Sequence, residues 1–251
     1  MKSPIITLQK FKIQNNICYA VGNPPISYQP QLKTLDHKNS PKKPDGKTWN
    51  NWKTYQHAIQ CADLVLEAIN TATRMFNDPT LKNRLTHAVL RTLQRDQQRS
   101  QDPDSPWAAM EMASIYEHLV GFECNKNTSI WRYITRCDDW YPEFMEHQFT
   151  IKGLQFQIPH AYKDWCDALA VTLGVLEVDF SQGAFIFQTS DTQLLDLQIK
   201  TTNLHLQVEH PRSIDGNGLF FLIMHPVRLD EEMGHVFEAE RCVAMTIVTG
   251  I

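Results

Sequence analysis

"HAYKDWCDALAVTLGVLEVDFSQGAFIFQT", residues 160–189, decides the fold, because it holds one of the two longest apolar runs in the chain. Residues 160–174 read as one helix inserted early in the second half. Residues 175–189 read as a hairpin, with "VLEVDF" and "AFIFQT" flanking Ser181-Gln182-Gly183. Downstream, "LLDLQIK" (194–200) and "LHLQVEH" (204–210) alternate strictly, placing Leu195, Leu197, Ile199, Leu204, Leu206 and Val208 on one face. Thr201-Thr202-Asn203 between them suits a hairpin loop. "DGNG" (215–218) reads as a turn, "LFFLIM" (219–224) as a strand covered on both faces, and "RCVAMTIVTG" (241–250) as a last strand.

Upstream of about residue 148 the period is helical. In residues 54–76, Ile59, Ala62, Leu66, Ile69, Thr73 and Phe76 recur at steps of three and four, one face of a helix. Asp78 then offers a cap and Pro79 a first helical position. "RLTHAVLRTLQRDQQR" (84–99) follows as a second helix, with Leu85, Val89 and Leu93 as its apolar stripe. "WAAMEMASIYEHLVG" (107–121) is a third, stopped by Gly121, and "TSIWRYITRC" (128–137) a short fourth. Ahead of all these, "KFKIQ" and "ICYAV" flank Asn15-Asn16 as a hairpin, and residues 22–47, with five prolines, read as a long loop.

The expected class is α+β: an N-terminal hairpin and a helical section, followed by a mostly antiparallel β-sheet. The divisions are 1–47 for the hairpin and loop, 48–147 for the helical section and 148–251 for the β-rich section. Residues 48–251 form one integrated domain.

Bulk composition is that of a folded protein, with 42% hydrophobic and 21% charged residues. No apolar run is long enough to span a bilayer, and the first residues lack a signal-peptide core. Six cysteines at 18, 61, 124, 137, 166 and 242 contain no CxxC, which fits a reducing compartment. An intracellular protein, cytoplasmic or nuclear and not secreted, is expected.

Charge is the most informative property. Residues 1–100 hold 15 basic and 6 acidic residues, net +9; the remainder holds 9 and 22, net −13. Such a split points to a polyanion partner, or to basic-on-acidic association of copies. The expected polyanion-binding residues are Arg84, Arg91, Arg95 and Arg99 with Lys38, Lys42, Lys43 and Lys47. At about 100° per residue, Arg84, Arg91 and Arg95 fall close together on a helix, away from Leu85, Val89 and Leu93. Arg91, Arg95 and Arg99 repel one another at i, i+4, and an anion would relieve that. Trp49, Trp52 and Tyr55 follow the lysines and either stack on exposed bases or start the helix against the core.

Catalytic signals are weak. GxSxG, P-loop, dinucleotide-binding and HExxH patterns are all absent. Asp138, Asp139, Glu143 and Glu146, with Trp140, Tyr141 and His147, form an acidic patch whose burial the sequence does not indicate. Cys124, Cys137, His147 and His160 match no zinc spacing, so no metal or cofactor is expected.

The expected function is therefore a non-enzymatic binding or assembly protein. Its basic part meets RNA, single-stranded DNA or an anionic membrane surface. Its acidic part meets protein, another copy included, in the manner of small viral structural or accessory proteins. The alternatives are a hydrolase-like enzyme using His147, His160, His225 or His235 between helices and sheet, and a pure protein–protein adaptor or inhibitor.

Overall fold

A computed structural model describes residues 11–14, 17–20, 26–28, 46–73, 78–97, 119–179, 183–208, 217–230, 235–238 and 243–250. Described elements run β1 (Phe11–Gln14), β2 (Ile17–Ala20), β3 (Ile26–Tyr28), α1 (Gly46–Thr73), α2 (Leu81–Gln97), β4 (Ile134–Arg136), β5 (Asp139–Glu143) and β6 (Gln148–Phe156). They continue with β7 (Ala168–Asp179), β8 (Ala184–Thr189), β9 (Thr192–Asp196), β10 (Thr202–Gln207), β11 (Asn217–Asp230), β12 (His235–Glu238) and β13 (Ala244–Gly250). Every described strand pairing is antiparallel, and with two helices the chain is α+β.

β7 is the centre of the molecule. Every residue from Ala168 to Val178 is buried, because β7 is covered on both faces. Along one edge it pairs with β8 and β9 end to end, and along the other with residues Asn217 to Val227 of β11. β11 in turn carries β12 and β13, β9 carries β2 and then β1, and β8 carries β3. This nine-stranded sheet is the middle layer of three.

Alternation sorts the side chains of the middle layer. Leu176 and Val178 of β7, Phe185 and Phe187 of β8, and Leu219, Phe221 and Ile223 of β11 face the helices. Leu169, Val171, Leu173 and Val175 of β7, with Phe220, Leu222 and Met224 of β11, face a second sheet of β10, β6, β4 and β5. Phe149 and Ile151 of β6 and Leu204 and Leu206 of β10 complete that second core. The expectation that residues 219–224 are covered on both faces holds.

The helix layer follows its sequence with one shift. α1 buries Ala58, Cys61, Ala62, Val65, Ala68 and Ile69, while Ile59 and Leu66 are only half-buried. Its stripe is turned by about one residue from the expected one. The small residues Ala58, Ala62 and Ala68 are what let it approach its neighbours closely. α2 buries Leu85, Val89 and Leu93 as expected, joined by Leu81 and by Thr86 and Thr92, whose hydroxyls donate back to Lys82 O (2.9 Å) and Ala88 O (3.2 Å). The third helix falls mostly outside the described residues. Its stop, Gly121, adopts φ +82°, where a side chain would be strained.

Three sequence expectations change. The helix over 160–174 is a single 3₁₀ turn at His160–Tyr162, and β7 starts at Ala168. A strand covered on both faces shows no period of two, so its apolar run resembles a buried helix. The fourth helix is also one turn, Ile130–Arg132, running into β4, so strands begin well before residue 148. The segments at 194–210 do not pair with each other. β9 belongs to the middle sheet and β10 to the second one. Gln198 N–H donates to the Asp196 carboxylate (2.8 Å), the chain turns there, and Ile199 is left 44% exposed as it crosses between layers. Alternation identified the inward residues Leu195, Leu204 and Leu206; it carries no information on which strand lies alongside.

The outer edge of β13 is sealed. Gly121 and Cys124 N–H groups donate to Ile247 O and Met245 O, both at 2.7 Å, and Ile247 N–H returns to Phe122 O (3.1 Å). Such cover keeps an apolar edge strand from pairing with other chains.

Candidate functional site

The expected basic face is built on α2. Arg91 is exposed, opposite the buried stripe, with His87 one turn before it. Arg95 occupies the next position along the same helix. Arg84 has a different setting. Its guanidinium donates to Glu123 O (2.7 Å), Cys124 O (3.2 Å), the Asp78 carboxylate (2.7 Å) and the Thr80 hydroxyl (3.3 Å), and lies over the Phe122 ring. Measured round the helix, Arg84 is about 60° from the buried Leu81. Arg91 lies within about 20° of Arg84 on the same face, so the bonds to Glu123 O, Cys124 O and Asp78, not the helical angle, set Arg84 apart. Lys47 and Trp49 lie in the first turns of α1, which begins inside the expected loop. Trp52 is half-buried and Tyr55 exposed, so the three aromatics do not form one core-facing row. Lys38, Lys42, Lys43 and Arg99 lie outside the described residues.

Around Arg84 sits a polar knot that the sequence does not reveal. Asp78 accepts from the Thr80 hydroxyl and N–H, from Lys126 N–H and from Arg84. Burial on its own raises a carboxyl pKa. Here the bonds from Thr80, Lys126 and Arg84 outweigh it and hold Asp78 well below the ordinary range. Glu123 accepts from the hydroxyls of Ser129 (2.6 Å) and Thr246. The start of α2, the 121–129 segment and β13 are thereby tied together.

A buried histidine–carboxylate pair lies on the opposite face of the middle sheet. The β5–β6 hairpin closes through a four-residue loop, Phe144–His147, in which His147 N–H donates to Phe144 O (3.1 Å). The last loop position needs a positive φ, and His147 takes it at +47°. This turns its imidazole inward, where Nε2 stands 2.9 Å from Glu177 Oε1 of β7. His147 and Glu177 are only 6% and 7% exposed, and the ring packs edge-on against Phe220. A neutral imidazole donating from Nε2 leaves Nδ1 as an acceptor, and Nδ1 has no hydrogen-bond partner. The pair is buried beside Phe220, against which Phe144 also packs.

The other expected catalytic groups are not gathered. By strand parity His225 faces the helix layer, His160 is exposed at the 3₁₀ turn, and Cys124 sits in the helix-side core. The space between helices and sheet is filled by apolar side chains. Asp138, Asp139, Glu143 and Glu146 are all exposed on the surface rather than gathered in a buried site. Cys61, Cys124, Cys137 and Cys166 are free thiols, and burial pushes those of Cys61 and Cys124 far up, making them inert.

A broad exposed surface remains on the outer side of the second sheet. Asp139, Tyr141 and Glu143 of β5 stand beside Lys152, Thr150 and Gln148 of β6, and His205 and Gln207 of β10 continue the rows. Lys152 Nζ sits 4.7 Å from the Tyr141 ring centre, and Thr150 Oγ1 meets His205 Nδ1 at 3.0 Å. A hydrogen bond to Asp139 raises the Tyr141 phenol above its usual pKa. No helix among the described residues is long and apolar enough to cross a membrane. No family model, curated protein or solved structure matches this chain.

Proposed function

We propose that this chain is a non-enzymatic binding and assembly protein that holds a single-stranded nucleic acid on its basic N-terminal part. The observation that carries this is Arg91, exposed on α2 opposite the buried stripe, with the Arg95 position one turn on. Like charges at i, i+4 cost a helix a few tenths of a kcal/mol, which a phosphate ladder reverses. Exposed Tyr55 adds a surface on which a base can stack. Lys38, Lys42, Lys43 and Lys47 precede that helix in the chain and add charge to the same part. The acidic β-rich part contacts protein. A basic and an acidic part in one chain make a division of labour analogous to that of small viral structural or accessory proteins. Free thiols at four described cysteines suit a reducing, intracellular setting.

The test is fluorescence anisotropy of a labelled single-stranded oligonucleotide across about 50 to 300 mM salt. Wild type should bind with an affinity that falls steeply with salt, and the R91E/R95E variant should lose at least tenfold. Arg84 is left intact, because its change disrupts the fold. Binding to anionic vesicles but not to oligonucleotide, or binding indifferent to salt, would overturn the proposal.

A further inference from the structure

We propose that the outer face of the second sheet docks a second copy of this chain, through the basic face of that copy's α2. The proposal deepens the reading above, in which the acidic part contacts protein, by naming the surface and its occupant.

Among the described residues no element packs on this face, and it is already organised for contact. Tyr141 stands among its exposed residues at 43% exposure, with Lys152 Nζ 4.7 Å from its ring centre and its hydroxyl hydrogen-bonded to Asp139. A prepositioned aromatic loses little entropy on binding, so it serves as an anchor. At the tip of the β5–β6 hairpin Met145 is 94% exposed, a flexible apolar side chain with nothing of its own to pack on. Pro142 removes one donor from β5, which disfavours strand addition at that edge and leaves face-on docking.

Charge selects the occupant. The cations near this face are already engaged: Arg136 with Asp138 (3.2 Å) and Lys152 with Tyr141. Among the described residues no salt bridge neutralises Asp139, Glu143 or Glu146. Glu143 and Glu146, which have no cation paired opposite them among the described residues, suit a basic surface beside the Tyr141 anchor. This chain provides one in its own first hundred residues, net +9, with Arg91 exposed on α2. The helices cover one side of the middle sheet and the second sheet covers the other. One molecule therefore cannot bring its own α2 onto its own β5. The contact must run from copy to copy, head to tail, and can repeat.

The area sets its strength. Three strands about 4.8 Å apart and five paired rows of about 3.3 Å give on the order of 250 Å², well under the roughly 800 Å² per partner of a stable interface. Association is therefore weak, concentration-dependent and sensitive to salt.

Sedimentation velocity of the full chain tests this, over a concentration series at about 50 and 300 mM salt. The sedimentation coefficient of wild type should rise with concentration at low salt and return to the monomer value at high salt. E143K/E146K and R91E/R95E should each stay monomeric, with folding checked by near-ultraviolet circular dichroism. Mixed together, they should form a one-to-one heterodimer that grows no further, because each contributes the surface the other lacks. E143K/E146K should also still bind the oligonucleotide, which separates this proposal from the nucleic-acid reading. A wild type that stays monomeric throughout at low salt, variants that associate like wild type, or a mixture without heterodimer would each overturn it.

Discussion

Asp78 and Arg84 show how much one pair of side chains holds in this fold. The Asp78 side chain is 5% exposed and that of Arg84 28%, and together they tie the start of α2 to the Glu123–Lys126 stretch. Asp78→Ala removes the carboxylate and leaves a half-buried guanidinium short of its counter-charge. A loss of about 2–3 kcal/mol is expected from urea denaturation; a loss under about 0.5 kcal/mol would show the pair to be incidental. The same residue gives a pH dependence. Its folded pKa is depressed, so the folded chain binds that proton less readily than the unfolded one. The stabilisation is complete above the unfolded value of about 4 and fades as pH falls through the depressed folded value. The stability gap between wild type and Asp78→Ala should therefore be constant near neutrality and shrink in acid. Arg84 also marks a limit of sequence reading. Set against Leu85 it looks like a surface residue, and only the later carbonyls of Glu123 and Cys124 reveal its half-buried setting.

Among the elements, β7 and the β5–β6 hairpin carry the main departures from sequence expectation. Leu176 and Val178 face one core while Val175 faces the other, so the run has no polar side to betray its period. Where a strand had one wet face the period was readable, as in β10 with Leu204 and Leu206 inward and His205 and Gln207 outward. Gly174 in β7 has its own role: a Cβ there would lie 2.8 Å from Phe187 Cζ and 3.3 Å from Phe221 Cβ. Alanine suits strands better than glycine, yet Gly174→Ala should destabilise by about 1–3 kcal/mol through overpacking. Phe187→Leu in the same chain should recover part of that loss, measured as a denaturation midpoint. If Gly174→Ala is as stable as wild type, the packing at that point is looser than described. In the hairpin, His147→Ala leaves buried Glu177 without its imidazole and puts alanine at positive φ. About 3–4 kcal/mol should be lost, and His147→Gly should recover only the backbone share, about 1 kcal/mol. The His147–Glu177 pair spans 30 residues of sequence and two sheets, so no local pattern announces it. The one hint was a histidine among the acids of the 138–147 patch, whose burial the sequence does not indicate.

Across the whole molecule, the layering decides what can fold alone. The charge split divides the chain near residue 100, which suggests a free-standing basic unit, but the packing denies it one. The helix-side core joins Ala58, Val65, Leu85 and Leu93 to Phe185, Phe187, Phe221, Met245 and Ile247 from strands far along the chain. α2 also begins at Asp78 and Arg84, whose partners are Glu123, Cys124 and Lys126. Two antiparallel helices without the sheet would expose one side of both apolar stripes and lose that knot. Helices of this length draw most of their stability from tertiary packing. A peptide of residues 46–97 should therefore show little cooperative unfolding by circular dichroism and should bind a hydrophobic dye, whereas the full chain unfolds in one sharp transition. A cooperatively folded peptide would mean that the basic section is a domain of its own. The nucleic-acid and self-association experiments must accordingly use the whole chain, since α2 presents Arg91 outward only while Leu85, Val89 and Leu93 are held by the sheet behind them.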